Sequence, residues 1–356
     1  MAYTTIDDPS AYFQTALYSS TGGGGSITVT NDGNSDLQPD WIWIKVRDGA
    51  NDHNTFDSSR SNFGERLFPN LTSQSDSVVS VSASSDGFAT GTGYGDINNT
   101  SGANNYVAWQ WKANGGTTSS NTDGSITSTV QANTTAGFSI VTYTGNASDG
   151  STVGHGLGAV PEFIIIKSRS ATTGWSVNDS ANGIGNGYLQ LQSTAAFASA
   201  SNNVKAASST TFTLGVDSWV NASGGNFVVY LFKSIQGYSK FGSYTGNGST
   251  DGPFVYLGFK PAWVMIKKSS GTDSWIILDD KRTDTGGKTN PVDKVLYPDS
   301  STTEYDESLG VDFLSNGFKY RDTGGWGGGT SGATYIYMAF AEQPFVSSEG
   351  VPTTAR

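Results

Sequence analysis

Three aromatic residues are the side chains best suited to binding a ligand. Tyr94, Trp219 and Trp326 each lie four to seven residues before a segment that recurs in the sequence, and Tyr94 and Trp326 have glycine on both sides. A large ring on a glycine-rich loop has no neighbouring side chain to cover it, so these rings can offer flat faces to sugars or to partner proteins. The alternative is that each ring folds back onto its own β-unit.

Two acid–base pairs have the same spacing. Asp57 precedes Arg60 by three residues and Asp279 precedes Arg282 by three, whereas the corresponding Asp179 has no arginine after it. Such a pair can form a charge-assisted hydrogen bond that fixes a loop, or it can orient a bound ligand. Recurrence at two places favours the structural interpretation, because a scaffold feature is expected to be repeated.

The residues that catalysis or metal binding would need are sparse. His53 and His155 are the two histidines and occupy unrelated positions, which disfavours a Ser/His/Asp site or a transition-metal site. A glycosidase needs two opposed carboxylates, and the nearest approach, at 304–307, lies in a polar loop. We therefore predict no catalytic residue, no cofactor and no metal, with a loop Ca²⁺ site at Asp279, Asp280 and Asp284 as the open alternative.

The elements that would position these side chains occur three times. A Pro-x-aromatic segment with three apolar residues and a final lysine occupies 39–45, 161–167 and 261–267, and a closing apolar segment occupies 101–113, 223–234 and 331–342. Anchors in constant order at nearly constant spacing predict tandem duplication. The predicted limits are 1–115, 123–236 and 237–346, followed by a tail at 347–356, and 114–124 has the composition of a flexible linker.

The fold class follows from composition and apolar runs. Glycine is abundant, charged residues make up 14% of the chain, and apolar runs of four to eight residues are rich in Val, Ile and aromatics. We predict an all-β chain of three tandem antiparallel β-sandwich domains of jelly-roll type. The closing segments are apolar on both faces, so one face should lie in a core and the other under a loop or a neighbouring domain.

Charge and composition limit the partners. The net charge of −11 disfavours nucleic acid and anionic membrane surfaces. There is no cysteine, no signal-peptide pattern at the start and no apolar run long enough to span a membrane. These features predict a protein that folds in a reducing cytoplasm and does not insert into membranes.

Several segments resemble a domain that recurs in structural proteins of tailed bacteriophages, especially marine ones. The opening MAYTTIDDPSAYF, the YTGN and PAWVMIK segments of the third copy and the closing SGATYIYMAFAE carry the resemblance, which extends over the whole chain as three copies. The resemblance implies a concanavalin-like sandwich fold and a virion surface component, and it transfers no catalytic residue.

Three functional hypotheses follow. The first is a non-enzymatic virion protein of tail-fibre or other surface-appendage type that attaches to host-surface polysaccharide, contacts other virion proteins and forms a homo-oligomer, so that weak contacts add up to avidity. The second is a capsid decoration or connector protein whose aromatic faces are buried against virion subunits. The third, an enzyme acting on host polysaccharide, is the least favoured.

Overall fold

The computed structural model describes residues 2–20, 22–77, 81–92, 94–99, 101–283, 290–322 and 329–353. Nearly all regular structure is β-strand in antiparallel sheets, so the predicted all-β class is confirmed. Among the described residues no helix is long and apolar enough to cross a bilayer.

The strands are grouped by the three sequence copies. The first copy contains β1 Phe13–Ser19, β2 Ile27–Val29, β3 Trp41–Val46, β4 Asn54–Asp57, β5 Val81–Ala83, β6 Phe88–Thr90 and β7 Asn105–Trp111, with 3-10 turns at Pro9–Ala11 and Ser61–Phe63. The second contains β8 Ser119–Asn121, β9 Ser128–Asn133, β10 Phe138–Thr144, β11 Thr152–Gly154, β12 Phe163–Ser168, β13 Trp175–Asp179, β14 Gly187–Gln190, β15 Ala198–Ser199, β16 Val204–Ala207, β17 Thr211–Leu214, a short helix α1 Ser218–Asn221 and β18 Asn226–Phe232. The third contains β19 Ser239–Thr245, β20 Phe254–Tyr256, β21 Phe259–Lys268, β22 Ile276–Asp279, β23 Val292–Val295, β24 Tyr305–Leu314, β25 Gly317–Tyr320 and β26 Thr334–Pro344.

Each copy arranges its first sheet in the same order. The first copy gives β1-β7-β3-β4, and the third gives β19-β26-β21-β22. The second has the equivalent β10-β18-β12-β13 at the centre of an eight-stranded sheet that β9 and β8 extend on one side and β14 and β15 on the other. The remaining strands form the smaller sheets β2-β6-β5, β11-β17-β16 and β20-β25-β24-β23.

Each copy contains a local apolar cluster whose members come from a larger and a smaller sheet. In the third copy this cluster joins Val264 and Tyr337 of the first sheet to Val311 and Phe318 of the smaller one. The other two copies have matching clusters that also draw on both of their sheets.

A fourth cluster joins all three copies, so the apolar interior is not confined to the separate copies. Its members include Trp41 and Trp111 of the first copy, Tyr230 of the second, and Trp263 and Phe340 of the third. The Trp41 ring stacks on Trp111 at 4.4 Å and on Tyr230 at 4.3 Å between centroids. The cause is the two-faced apolar strands: along β26, Tyr335 and Tyr337 face the local cluster while alternate residues face the shared one.

The predicted flexible linker is partly structured. Strand β8 pairs with β9, so the second sheet begins before residue 123. Upstream, the Asp40 carboxylate accepts hydrogen bonds from the backbone N–H groups of Ala113, Gly115 and Gly116 at 2.7–2.9 Å. Backbone pairing and one buried acceptor therefore order a segment whose composition indicates a coil.

Candidate functional site

Backbone hydrogen bonds of one kind link each copy to another. The residue two positions after the final lysine of the Pro-x-aromatic segment offers its carbonyl oxygen to an N–H of the neighbouring copy. The pairs are Arg47 with Glu304 at 2.7 Å, Arg169 with Ser75 at 3.0 Å, and Ser269 with Phe197 at 2.9 Å. The first copy thus contacts the third, the second contacts the first, and the third contacts the second, so the contacts close a ring.

A second kind of hydrogen bond also links each copy to another. It comes from a buried ring nitrogen four residues before Asp57, Asp179 and Asp279. Trp175 Nε1 donates to Phe68 O, Trp275 Nε1 donates to Gln190 O, and His53 Nε2 lies against Tyr297 O, each at 2.9 Å. Since His53 Nδ1 accepts a hydrogen bond from Trp43 Nε1 at 2.9 Å, Nε2 carries the hydrogen and donates it. Burial lowers the pKa of His53 well below its usual value, so the ring is neutral. His53 is therefore a junction residue.

The three final lysines, Lys45, Lys167 and Lys267, are fully buried. Their ammonium groups donate to backbone carbonyls at 2.7–3.1 Å, and Lys167 and Lys267 reach Thr72 O and Thr194 O of a neighbouring copy. Burial lowers the pKa of each lysine to about 8. These cations hold loops and junctions in place.

Both predicted Asp–Arg pairs are present as buried ion pairs. Arg60 Nε lies 2.5 Å from Asp57 Oδ2, and Arg282 Nε lies 2.5 Å from Asp279 Oδ2, with all four side chains fully buried. A donor from another copy completes each aspartate: the Tyr230 hydroxyl bonds Asp57 at 2.7 Å, and Trp109 Nε1 bonds Asp279 at 2.9 Å. This geometry supports the structural interpretation, because these carboxylates are enclosed and bonded within the protein.

The second copy, which lacks the arginine, holds the equivalent loop in place with an amide side chain. Asn182 stands three residues after Asp179 and donates both its backbone N–H and its side-chain Nδ2 to that carboxylate at 2.8 Å. Met338 occupies the strand position that Tyr230 and Trp109 hold elsewhere, and its side chain has no N–H or O–H to donate. All three copies thus use the aspartate to fix this loop.

The loop aromatics that the sequence singles out lie against their own copies. Tyr94 is partly buried on the local cluster, with the Arg66 guanidinium 5.4 Å from its ring centroid. Trp219 is partly buried beside Tyr188, and a Cβ at Gly174 would stand 2.3 Å from the Trp219 ring. Gly174 therefore makes room for that ring. Trp326 lies outside the described residues.

A different pair of aromatics is exposed on strand β20. Phe254 and Tyr256 are 45% and 50% exposed, whereas Val255 between them is 6% exposed. Side chains of a strand alternate between its faces, so the two rings share the outer face about 7 Å apart along the strand. Both rings therefore lie on the same exposed face of β20.

The other copies have the same strand without the rings. Buried Val29, Val153 and Val255 are equivalent, because each pairs with a buried phenylalanine: Phe88, Phe212 and Phe318. The residues flanking the valine are Thr28 and Thr30 in the first copy and Thr152 and Gly154 in the second. The scaffold therefore does not require aromatic residues at these positions.

Tyr3 and Lys240 complete this surface. Tyr3 donates its hydroxyl hydrogen to Gly258 O at 2.8 Å, so the Tyr256 hydroxyl, 3.3 Å away, donates to Tyr3. Burial and the neighbouring Tyr256 raise the pKa of Tyr3 to about 12. Lys240 Nζ lies 5.2 Å from the Tyr256 ring centroid and donates to Tyr256 O at 2.7 Å. We call Tyr3, Lys240, Phe254 and Tyr256 the aromatic edge.

An open groove of about 610 Å³ includes Tyr3 in its wall and so adjoins the aromatic edge. It is lined by Ala2, Tyr3, Gln236, Ser348, Glu349 and Gly350. The backbone N–H of Ser348 donates to Asp7 Oδ1 at 2.6 Å, which fixes the tail after the third copy against the start of the first copy.

The aromatic edge is missed when glycine-flanked rings are used as the only signal. Alternation in Phe254-Val255-Tyr256 places one apolar residue inward and two rings outward. A copy-to-copy comparison of this strand would have revealed the two extra rings. Tyr3 and Lys240 reach the edge through tertiary contacts that no local pattern encodes.

The acidic side chains considered for catalysis or for Ca²⁺ are largely engaged in ion pairs. Glu304 pairs with Arg47 at 2.7 Å and with Arg282 at 3.0 Å, and Asp306 pairs with Lys294 at 2.7 Å. Asp284 lies outside the described residues. Over the described ranges, no group of three or more His, Asp or Glu side chains is arranged to hold a metal ion.

Comparison with known proteins gives one match. A family described as a domain of unknown function, DUF7483, matches residues 8–344, and the chain therefore belongs to this family. The matched segment runs through all three copies. No curated protein and no solved structure matches the chain.

Proposed function

We propose that this member of the DUF7483 family is a non-enzymatic structural protein of a tailed-bacteriophage virion. In this proposal it belongs to a surface appendage of tail-fibre type and attaches to host-surface glycan through the aromatic edge. The observation that carries the proposal is the presence of two exposed rings, Phe254 and Tyr256, at positions where the other copies have threonine or glycine. Exposed aromatic faces that the fold does not need are suited to stacking on sugar rings.

The proposed architecture is three β-sandwich units of jelly-roll type closed into a ring within one chain. The common strand order, the local cluster in each copy and the cluster shared by all three support it. A ring of this kind is a rigid support for an exposed binding strand. If the chain forms homo-oligomers, several edges act together and weak sugar contacts add up to avidity.

The proposed virion role rests on sequence resemblance. The opening residues 1–13, the 244–267 region and the closing segment 331–342 resemble the recurrent domain of tailed-phage structural proteins. The polar groups common to the three copies are engaged at junctions, as the lysine and aspartate contacts described above show. This distribution supports a structural role with binding at one surface.

Glycan attachment is tested with threonine replacements that copy the first repeat. Phe254→Thr with Tyr256→Thr removes both rings while keeping a side chain that the fold accepts at Thr28 and Thr30. We expect the purified double variant to lose at least tenfold in adsorption to host cells or their extracted polysaccharide, since stacking of one ring contributes on the order of 1 kcal/mol.

Tyr305→Thr is the matched control, because Tyr305 is 47% exposed on β24 of the same sheet. This variant should adsorb like the wild type. Equal adsorption by wild type and the double variant would contradict attachment through the aromatic edge.

The place in the particle is tested separately. Antibodies against the chain, visualised with gold on intact particles of the phage that encodes it, should label a surface appendage. If the protein is instead a connector or capsid decoration, hydroxyl-radical footprinting of the particle will find Phe254 and Tyr256 protected by other subunits. Mass spectrometry that finds no trace of the chain in purified particles would refute the virion role.

A further inference from the structure

We propose that the aromatic edge recognises acidic glycans, which carry carboxylate or sulfate groups, in preference to neutral ones. This inference rests on the proposed function and names its ligand class. It is carried by Lys240, a cation placed beside the exposed aromatic face. A glycan that stacks on the rings would bring its substituents within reach of this ammonium group.

Lys240 differs from the other lysines near the edge. Lys319 pairs with Asp251 at 2.8 Å, and Lys260 pairs with Glu342. In the described part of the chain Lys240 has no carboxylate within ion-pair distance, and its hydrogen-bond partner is the neutral carbonyl of Tyr256. Glu162 acts on Lys240 electrostatically, but its Oε2 atom accepts a hydrogen bond from the Ser234 hydroxyl and does not pair with the lysine. Among the described residues, the edge therefore presents a positive charge that no ion pair holds, on a chain whose net charge is −11.

The same lysine argues against a protein strand as the ligand. Pro253 O accepts a hydrogen bond from Tyr320 N, and Leu257 N donates one to Asn316 O. The backbone N–H and C=O groups of the odd-numbered residues in this segment therefore point toward β25. The backbone groups of Phe254 and Tyr256 consequently point away from β25, toward the outer edge. Lys240 already donates to Tyr256 O there, and a lysine in this place is a common device that blocks strand addition.

The remaining donor hydrogens of the Lys240 ammonium group suit an anion. A lysine has three donor hydrogens, and the bond to Tyr256 O uses one of them. A sugar carboxylate or sulfate can accept the others in a charge-assisted hydrogen bond while the sugar ring stacks on Phe254 or Tyr256. A neutral sugar gains only the stacking contact and a weaker hydrogen bond.

The experiment compares paired probes that differ only in charge. Uronic-acid oligosaccharides are measured beside their methyl esters, and sulfated oligosaccharides beside the unsulfated parents, by titration of the full chain at low ionic strength. We expect the wild type to bind at least one acidic probe about tenfold more tightly than its neutral partner. Higher salt should reduce this ratio, because the edge is solvent-exposed. The two probe pairs distinguish carboxylate from sulfate as the recognised group.

Lys240→Gln should bring the ratio between acidic and neutral probes to within about twofold while the neutral probe keeps its affinity. Lys319→Gln is the control, since its charge is already paired, and it should preserve the ratio. Equal binding of acidic and neutral probes by the wild type, or an unchanged ratio in Lys240→Gln, would overturn the charge preference and leave glycan attachment intact. Failure of every probe and of host polysaccharide to bind would refute both proposals.

Discussion

The junctions between copies and the aromatic edge obey opposite rules. In the scaffold, equivalent residues do the same task three times: Lys45, Lys167 and Lys267 are all buried and all donate to backbone carbonyl oxygens, and the last two reach a neighbouring copy. At the edge, two exposed aromatics occur in one copy, and the equivalent positions elsewhere hold small or polar residues. The difference teaches that repeated chemistry in a duplicated chain marks the scaffold, while unrepeated exposed chemistry marks the place to look for function.

The largest expected effect comes from the cluster shared by the three copies. Trp41→Ala should lower the free energy of unfolding by roughly 3–5 kcal/mol, since it leaves a cavity beside Trp111 and Tyr230. Because this cluster belongs to all copies, denaturant unfolding followed by tryptophan fluorescence and by circular dichroism should give one coincident transition. Separate transitions for wild type would show that the copies fold independently. That result would weaken the contrast between a shared scaffold and the aromatic edge.

The next effect concerns the buried ion pair of the first copy. Arg60→Ala should cost about 3 kcal/mol, because it leaves the Asp57 carboxylate buried without its cation. Arg60→Asn imitates the second copy, where Asn182 bonds Asp179, and should cost less than half as much. Urea titration of the two variants measures both values. An equal loss in both would mean that an amide cannot take over this role.

A smaller effect is pH-dependent and concerns the buried lysines. The folded pKa of Lys167 is about 8, whereas the unfolded value is near 10.5, so the unfolded state binds more protons between these pH values. The stabilising contribution is complete above the unfolded pKa and is lost as the pH falls through 8. From pH 8 to pH 10 this one lysine should raise the free energy of unfolding by about 2 kcal/mol.

Comparison with Lys167→Met isolates this contribution, since tyrosine ionisation affects both proteins alike. The wild type should gain stability relative to the variant as the pH rises from 8 to 10, as measured by urea unfolding at fixed pH. A difference that is flat with pH would show that Lys167 stays solvated in the folded protein.

The smallest effect on stability belongs to the edge. Phe254→Thr with Tyr256→Thr should change the free energy of unfolding by less than about 1 kcal/mol in total, because both rings are exposed and the first copy has threonine on each side of its equivalent valine. Thermal and urea unfolding measure this change. A loss of several kcal/mol would assign the rings to the core and remove the reason to consider them a contact surface.

Much of the scaffold could be predicted from local sequence. The Pro-x-aromatic segments recur with their final lysines, and the closing segments recur after them. The spacing of aspartate and arginine already indicates a repeated structural pair at Asp57 and Asp279. The two-faced apolar pattern of β26 also predicts that its second face is covered. What covers that face is not encoded locally, because the shared cluster depends on how three copies pack together.

The candidate site was harder to predict for the same physical reason. Tyr94 and Trp219 stand on loops that look exposed in sequence, yet Arg66 and Gly174 let their rings lie against the protein. Tyr256 is flanked by apolar residues that are typical of a core strand, but its position on an edge strand leaves it at the surface. Exposure is a property of tertiary packing, so glycine-flanked rings were an incomplete guide.

The most direct test of the contrast between scaffold and edge measures binding and stability on the same two variants. The edge variant Phe254→Thr with Tyr256→Thr and the junction variant Arg60→Asn are each titrated with the tightest acidic oligosaccharide and unfolded in urea. We predict that the edge variant loses at least tenfold in affinity at nearly unchanged stability, and that the folded junction variant loses stability at unchanged affinity. Loss of stability in the edge variant, or loss of affinity in the folded junction variant, would contradict the separation of the two roles.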